Sequence, residues 1–323
     1  MKNIWYEKLI NPEYFQGNKD KTSYFEGWYF KQVSSNNKCV LSLIPGISLD
    51  KSDKHAFIQV IIAPAMKTYY FRFSIEEFLY SEDKFQIKIG NNTFSKNKVK
   101  LDINDGDVSI KGSLNFTNMK KIKRTIWMPN IMGPFGYLTF MECNHGVISM
   151  EHKVEGSLKI NNESLDFDKT KGYIEKDWGS SFPKNYIWLQ CNDFSNDDFS
   201  FMFSLAEIPF MGFSFNGFLC NIQIGDKEYR FASYTGAKAE ILSYSGTKIE
   251  ILVRSFKYKL YITAESENSG DLLAPAQGKM INTIKEGIEG KIQIKLRDKN
   301  NRSIINTKGE NAGIELVNVD FIK

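Results

Sequence analysis

An all-β fold is predicted by three observations. Apolar residues recur at every second position, the alternating runs are short and separated by Gly, Asn and Asp turns, and no stretch sustains a helical apolar period. Side chains of a strand point alternately to its two faces, so such runs build one apolar and one wetter face. Strands that follow one another in this way close into barrels or stack as sandwiches. The 323 residues are enough for two domains or one large one, and an aromatic content of 14% suits strands and apolar cavities.

The first strand is read at Phe25–Val33, after an irregular opening at Asn11–Asn18. Period-two reading puts Phe25, Gly27, Tyr29 and Lys31 on one face and Glu26, Trp28 and Phe30 on the other, so Glu26 is an acid among aromatics. Strands are expected from Lys38 to Leu43 and from Ala56 to Ile62. Ser74 with Glu77, ahead of Phe78 and Leu79, has the form of a capping box for one short helix, with a strand edge as the alternative. A meander follows: Phe85, Ile87 and Ile89, a Gly90-Asn91-Asn92 turn, then Val99, Leu101 and Ile103, a turn at Asn104–Asp107, and Val108 with Ile110. Beyond residue 198 the alternation returns at Phe199, Phe201 and Phe203, at Phe213 and Phe215, and at Ile249, Ile251 and Val253. It continues at Phe256, Tyr258, Leu260 and Ile262 and ends at Ile292, Ile294 and Leu296.

Charge and composition remove several classes. With 42 basic against 38 acidic residues the net charge is +4, too slight for this length to imply nucleic acid. There is no apolar signal region and no run near the ~20 residues of a membrane span, so a cytoplasmic protein is expected. Cys39, Cys143, Cys191 and Cys220 form no Cys-x-x-Cys pair and fit reduced, buried thiols. The abundance of Lys, Asn and Ile suggests an AT-rich bacterial genome. Serine-nucleophile, phosphate-loop and dinucleotide motifs are absent. The basic run from Lys120 to Arg124, followed by Ile126 and Trp127, is either a peripheral contact with an anionic membrane surface or a solvated loop.

Chemistry concentrates between Gly172 and Asn192. Read as a strand, Tyr173, Glu175 and Asp177 share one face, and Ile174, Lys176 and Trp178 the other. A carboxyl group among aromatic rings loses hydration of its anion and holds a proton more tightly, as a general acid must. The plainer reading is a strand-end corner fixed by hydrogen bonds to the turn at Gly179-Ser180-Ser181. A second cluster is Glu142-Cys143-Asn144-His145-Gly146 with His152 beyond. On one continuous strand His145 and His152 take opposite faces, and Cys143, His145 and His152 match no zinc spacing. An acid–base pair in a pocket and an ordinary hydrogen-bonded histidine both remain open. The third set is aromatic: Trp28, Tyr29, Trp178, Phe182, Tyr186 and Trp188 either stabilise a carbocation or fill a core.

The string Glu175-Lys176-Asp177-Trp178-Gly179-Ser180-Ser181-Phe182-Pro183, followed by Trp188-Leu189-Gln190-Cys191-Asn192, resembles the signature of tocopherol-cyclase-like proteins, relatives of the carotenoid hydratases. The resemblance extends to Phe25-Glu26-Gly27-Trp28-Tyr29-Phe30 and to Leu272-Leu273-Ala274-Pro275. It implies two lipocalin-like (calycin-type) antiparallel β-barrels in tandem, here at 1–168 and 169–323. It also implies cofactor-independent, metal-free cyclisation of a prenyl hydroquinone to a chroman, with a hydrophobic small molecule as ligand and no oligomeric state specified. In that chemistry Asp177 or Glu26 donates the proton, and Trp28, Trp178 and Trp188 line the slot. Gln190 or Asn192 orients the phenol, and Tyr29, Phe182, Tyr186 and His152 complete the binding set. Plant-type members carry Asn at the position matching Asp177, which keeps Glu175, Glu26 and Glu142, with His145, among the candidate acids. Two rivals use the same barrels: a non-catalytic isoprenoid or lipid carrier, and a hydratase of isoprenoid double bonds.

Overall fold

The computed structural model describes residues 4–322 apart from 38, 139, 197 and 211, so the expected strand start at Lys38 lies outside the described residues. The chain forms two compact units, Met1–Phe182 with Leu272–Thr283, and Pro183–Asp271 with Ile284–Lys323. Among the described residues no helix is long and apolar enough to cross a membrane.

The first unit opens with a seven-residue helix, α1 (Ile4–Ile10), which the alternation had not suggested. Its strands are β1 (Tyr24–Val33), β2 (Val40–Leu49), β3 (Lys54–Ala63), β4 (Lys67–Ser74), β5 (Phe78–Tyr80) and β6 (Gln86–Ile89). They continue as β7 (Asn92–Ser95), β8 (Lys98–Asn104), β9 (Ser109–Lys120), β10 (Cys143–Ile160), β11 (Glu163–Asp166) and β12 (Thr170–Gly179). The order across the sheet is β4-β3-β2-β1-β12-β10-β9-β8-β7-β6-β5, a nearly closed antiparallel barrel. Ser74 and Glu77 do form a capping box, but on a single 3₁₀ turn at Ile75–Glu77. β12 follows the expected boundary at 168/169 in sequence and lies between β1 and β10 in this first sheet.

Alternation decides the faces. Trp28 and Phe30 of β1, Leu41 and Leu43 of β2, Ile58 and Val60 of β3 and Ile174 of β12 point into one buried cluster, with Phe94, Leu101 and Phe116 from the meander. The opposite, outer face of β2 and β3 receives residues 272–283. Gln59 donates from Nε2 to the Leu273 carbonyl and accepts from the Leu273 N–H, both at 2.9 Å. Ser48 Oγ donates to the Gly278 carbonyl at 2.7 Å. The Leu272–Pro275 motif is therefore a strap on the first unit.

The second unit repeats the scheme with β13 (Tyr186–Cys191), β14 (Asp193–Phe194), β15 (Phe199–Phe210), β16 (Phe213–Ile224), β17 (Lys227–Ala232) and β18 (Lys238–Tyr244). It continues with β19 (Lys248–Arg254), β20 (Tyr258–Glu265) and β23 (Ser303–Val317), and its sheet includes β21 (Gly270–Ala276) and β22 (Lys279–Asp298), of which residues 272–283 belong to the first unit. Its strand order is β17-β16-β15-β13-β23-β22-β20-β19-β18, a large open sheet around its own core of Leu189, Phe201, Phe203, Ile222, Ile251 and Ile294. Phe256 differs from expectation: it sits between β19 and β20 and is 89% exposed, because the alternation starts two residues later.

Candidate active site

Register on the outer face of the first sheet assembles a polar cluster. Gly27 of β1, Asp177 of β12 and His145 of β10 are consecutive ladder partners. One step along, Tyr29, Glu175 and Val147 form the next row, and Lys31 lies opposite both Tyr173 and Ser42. Two bulges in β10, between Val147 and Ser149 and between Ser149 and His152, each insert one residue. Their effects on parity cancel, so His145 remains on the outer face and His152 on the inner.

His145 stands between two carboxylates. Its Nδ1 is 2.9 Å from Asp177 Oδ1, and its Nε2 is 3.5 Å from Glu175 Oε2 without hydrogen-bond geometry. The Tyr173 hydroxyl donates to Glu175 Oε2 at 2.5 Å, and Tyr29 and Ser42 share a hydrogen bond of 2.9 Å. Burial alone pushes the imidazole pKa down, but the charges of Asp177 and Glu175, and the bond to Asp177, raise it to about 9. His145 is thus an imidazolium near neutral pH. Burial and Glu175 push the Tyr173 phenol well up, so it stays a donor. The cluster is mostly buried, and Asp177, with 24% of its side chain exposed, is its most open member.

The same three groups offer ligand atoms within 4.8 Å of one another. One imidazole and two carboxylates are a donor set that first-row divalent ions accept. The trio Cys143, His145 and His152 is not brought together, because the histidines occupy opposite faces.

Glu26, Trp28 and Trp178 lie on the inner face, away from Asp177. Glu26 accepts from the Gln16 N–H at 2.8 Å, the Gly17 N–H at 3.0 Å and the Tyr24 hydroxyl at 2.5 Å, and it pairs with Lys176. Four donors occupy the acceptor sites of one carboxylate. Lys176 Nζ also donates to the Pro12 and Tyr14 carbonyls at 2.8 and 2.5 Å and sits 4.5 Å from the Trp28 ring and 5.0 Å from the Trp178 ring. Those two indoles therefore face a cation the chain itself supplies. Lys176, pushed down by burial against the pull of Glu26, has a pKa of about 8. This inner-face constellation pins the opening loop.

His152, also inside, has its pKa lowered to about 3 by burial. Its Nδ1 meets Ser149 Oγ at 3.1 Å, while its Nε2 and the Gln32 amide converge over Gly172, where a Cβ would come within 2.3 Å of both. Glu142 is exposed at the entry to β10, and its carbonyl accepts from Ser180 N at 2.8 Å. Phe182 packs on Phe25 at 5.3 Å. In the second unit, Tyr186, Trp188 and Gln190 lie on the face of β13 opposite its core, Asn192 is buried just beyond the end of β13, and Tyr186 donates to Glu315 at 2.5 Å.

Tyr173, Lys31 and Ser42 were not singled out from sequence as site residues. The signal for two of them was present, since Tyr173 shares parity with Glu175 and Lys31 shares parity with Tyr29. Ser42 needed the β1–β2 register.

Comparisons with known proteins agree with this architecture. Solved structures with the same fold include CghA with Sch210972 (TM-score 0.56, 8% identity, 91% of this chain and 88% of that one). Kievitone hydratase from Nectria haematococca has a TM-score of 0.55 at 14% identity, over 95% and 92% of the two chains. A putative AttH from Nitrosomonas europaea gives 0.53 at 10% identity, over 93% and 94%. These likenesses show the fold, an all-β lipocalin-like architecture. Curated relatives match a short segment: a probable chloroplastic tocopherol cyclase of Oryza sativa subsp. japonica is 40% identical over 40 residues, 12% of this chain and 8% of that protein. The chloroplastic tocopherol cyclase of Zea mays is 38% identical over 39 residues, again 12% and 8%. The sequence profile of tocopherol cyclase-like proteins matches residues 109–317, well over half of the chain, and the chain belongs to that family.

Proposed function

We propose that this chain binds a small hydrophobic isoprenoid and cyclises it by acid catalysis, a prenyl hydroquinone giving a chroman. The observation that carries the reading is His145 held between Asp177 and Glu175 on a largely buried face of the first sheet. His145, protonated near neutral pH and bonded through Nδ1 to Asp177, the most open of the three, holds the proton, and the His145–Asp177 pair delivers it to the alkene carbon. The tertiary cation so formed is captured by the phenolic oxygen. The phenolic proton returns to the cluster through Glu175, so substrate and product have the same mass. Tyr29 lies opposite Glu175 in the ladder, and the Tyr173 hydroxyl donates to that carboxylate and orients it. Burial excludes water, which would otherwise quench the cation.

The test is incubation of the purified chain with prenyl hydroquinones and unsaturated isoprenoids, followed by chromatography and mass spectrometry. A product of unchanged mass and shifted retention supports the cyclase. Asp177→Asn and His145→Gln are each expected to lower turnover by about 10²–10⁴-fold while leaving ligand binding in place. A gain of one water makes the chain a hydratase. Absence of any product together with a co-purifying lipid makes it a carrier, and wild-type turnover by Asp177→Asn removes Asp177 as the acid.

A further inference from the structure

We infer that the turn at Thr125–Met128 is a docking tip for an anionic lipid bilayer. Between β9 and β10 the chain makes a tight hairpin: Thr125 N–H donates to the Met128 carbonyl at 3.0 Å and Met128 N–H to the Thr125 carbonyl at 3.1 Å. This bridge projects the two central residues outward. Ile126 and Trp127 are each 79% exposed, an unusual outlay of apolar surface on a turn. The tip is held in place, since the Tyr137 hydroxyl donates to the Ile126 carbonyl and the Tyr137 ring lies 6.3 Å from that of Trp5 in α1. Trp5 and Ile4, themselves about half exposed, extend the apolar surface.

Charge selects the partner. No Asp or Glu occurs between Asp107 and Glu142, while Lys120, Lys121, Lys123 and Arg124 lead directly into the turn. Lys120 and Lys121 pair with Glu151 and Glu13, each at 3.0 Å. Lys123 and Arg124 stand nearest the tip, and Lys123 is exposed. An indole and a branched alkyl group at a rigid tip, flanked by cations, match an interface with acyl chains below and anionic headgroups above. The surface belongs to a bilayer that contains the hydrophobic substrate, so its purpose rests on the reading above, although the binding itself does not.

The experiment is sedimentation of the full chain with vesicles of phosphatidylcholine alone or mixed with phosphatidylglycerol, with and without added salt. Binding is expected for the mixed vesicles, with a blue shift of tryptophan emission, and is expected to weaken as salt rises. Trp127→Ala, and separately Ile126→Ser, are expected to lower the partition coefficient by about tenfold. Lys123→Ala with Arg124→Ala is expected to abolish the preference for anionic vesicles. All are surface changes, checked by an unaltered melting temperature. Failure of the wild-type chain to sediment with either vesicle, or equal sedimentation of Trp127→Ala, overturns the inference. So does concentration-dependent self-association lost in Trp127→Ala, which would make the turn an interface between copies. Turnover of a short-chain hydroquinone in vesicle-free buffer is expected to be unchanged in Trp127→Ala. Absence of turnover in every variant counts against the cyclase and leaves the binding result standing.

Discussion

Asp177 and His145 are direct ladder partners on adjacent strands, and their side chains meet at 2.9 Å on the side of the sheet turned away from its core. A titratable pair placed by register depends on pH in a definite direction. The His145 pKa is raised from 6.5 to about 9, so its pairing adds stability that is complete below about pH 6.5 and lost as pH rises through about 9. Comparing urea unfolding of wild type and His145→Gln checks this: the difference should be largest near pH 6 and close to zero near pH 10.

His152 behaves in the opposite sense. Its folded pKa of about 3 lies below the ordinary 6.5, so the unfolded chain takes up a proton that the folded chain refuses. Stability falls as pH drops below about 6.5 and continues to fall toward 3. Imidazole ¹⁵N chemical shifts should show a neutral ring at pH 5 for His152 and an imidazolium for His145 at pH 7.5.

Lys176 and Glu26 are both fully buried, and removing one partner leaves the other charged in the interior. Lys176→Met is expected to cost about 3–5 kcal/mol. The double change Lys176→Met with Glu26→Gln should recover part of that loss, and proteolysis at the opening loop should report whether it has come free.

Two glycines separate access from folding. Gly27 lies opposite Asp177, and a Cβ there would meet nothing closer than 3.7 Å. Gly27→Val is expected to keep the melting temperature within a few degrees and lower turnover by about tenfold or more by filling space beside the acid. Gly179 has φ +154, and a Cβ would fall 2.1 Å from the Glu142 carbonyl oxygen. Gly179→Ala should therefore destabilise the fold by more than about 2 kcal/mol, read from chemical unfolding.

Strand parity alone put Tyr173, Glu175 and Asp177 together and sent Lys176 and Trp178 to the other face, because the period of a strand is a local property. What parity cannot supply is the neighbour across the ladder. Nothing near Asp177 in sequence announces His145, and nothing near Glu26 announces Lys176, since register is set by turns and packing far along the chain. That is why Glu26 reads in sequence as an acid among aromatics and in the fold as an acceptor for four donors. The expected boundary at 168/169 was drawn before β12, whose place in the first sheet depends on pairing with β1 and β10.

The strap at Leu272–Thr283 has a consequence for how the protein is made. A ribosome releases the first twelve strands long before it reaches Leu273, so Gln59 must wait through 214 residues of synthesis for the backbone it pairs with. Until then the outer surface of β2 and β3 lacks its strap, and the nascent barrel relies on its interior and on the polar bonds across β1, β2, β10 and β12. A chain cut after Phe182 would keep that provisional surface permanently, and a chaperone that binds early would find its footing there.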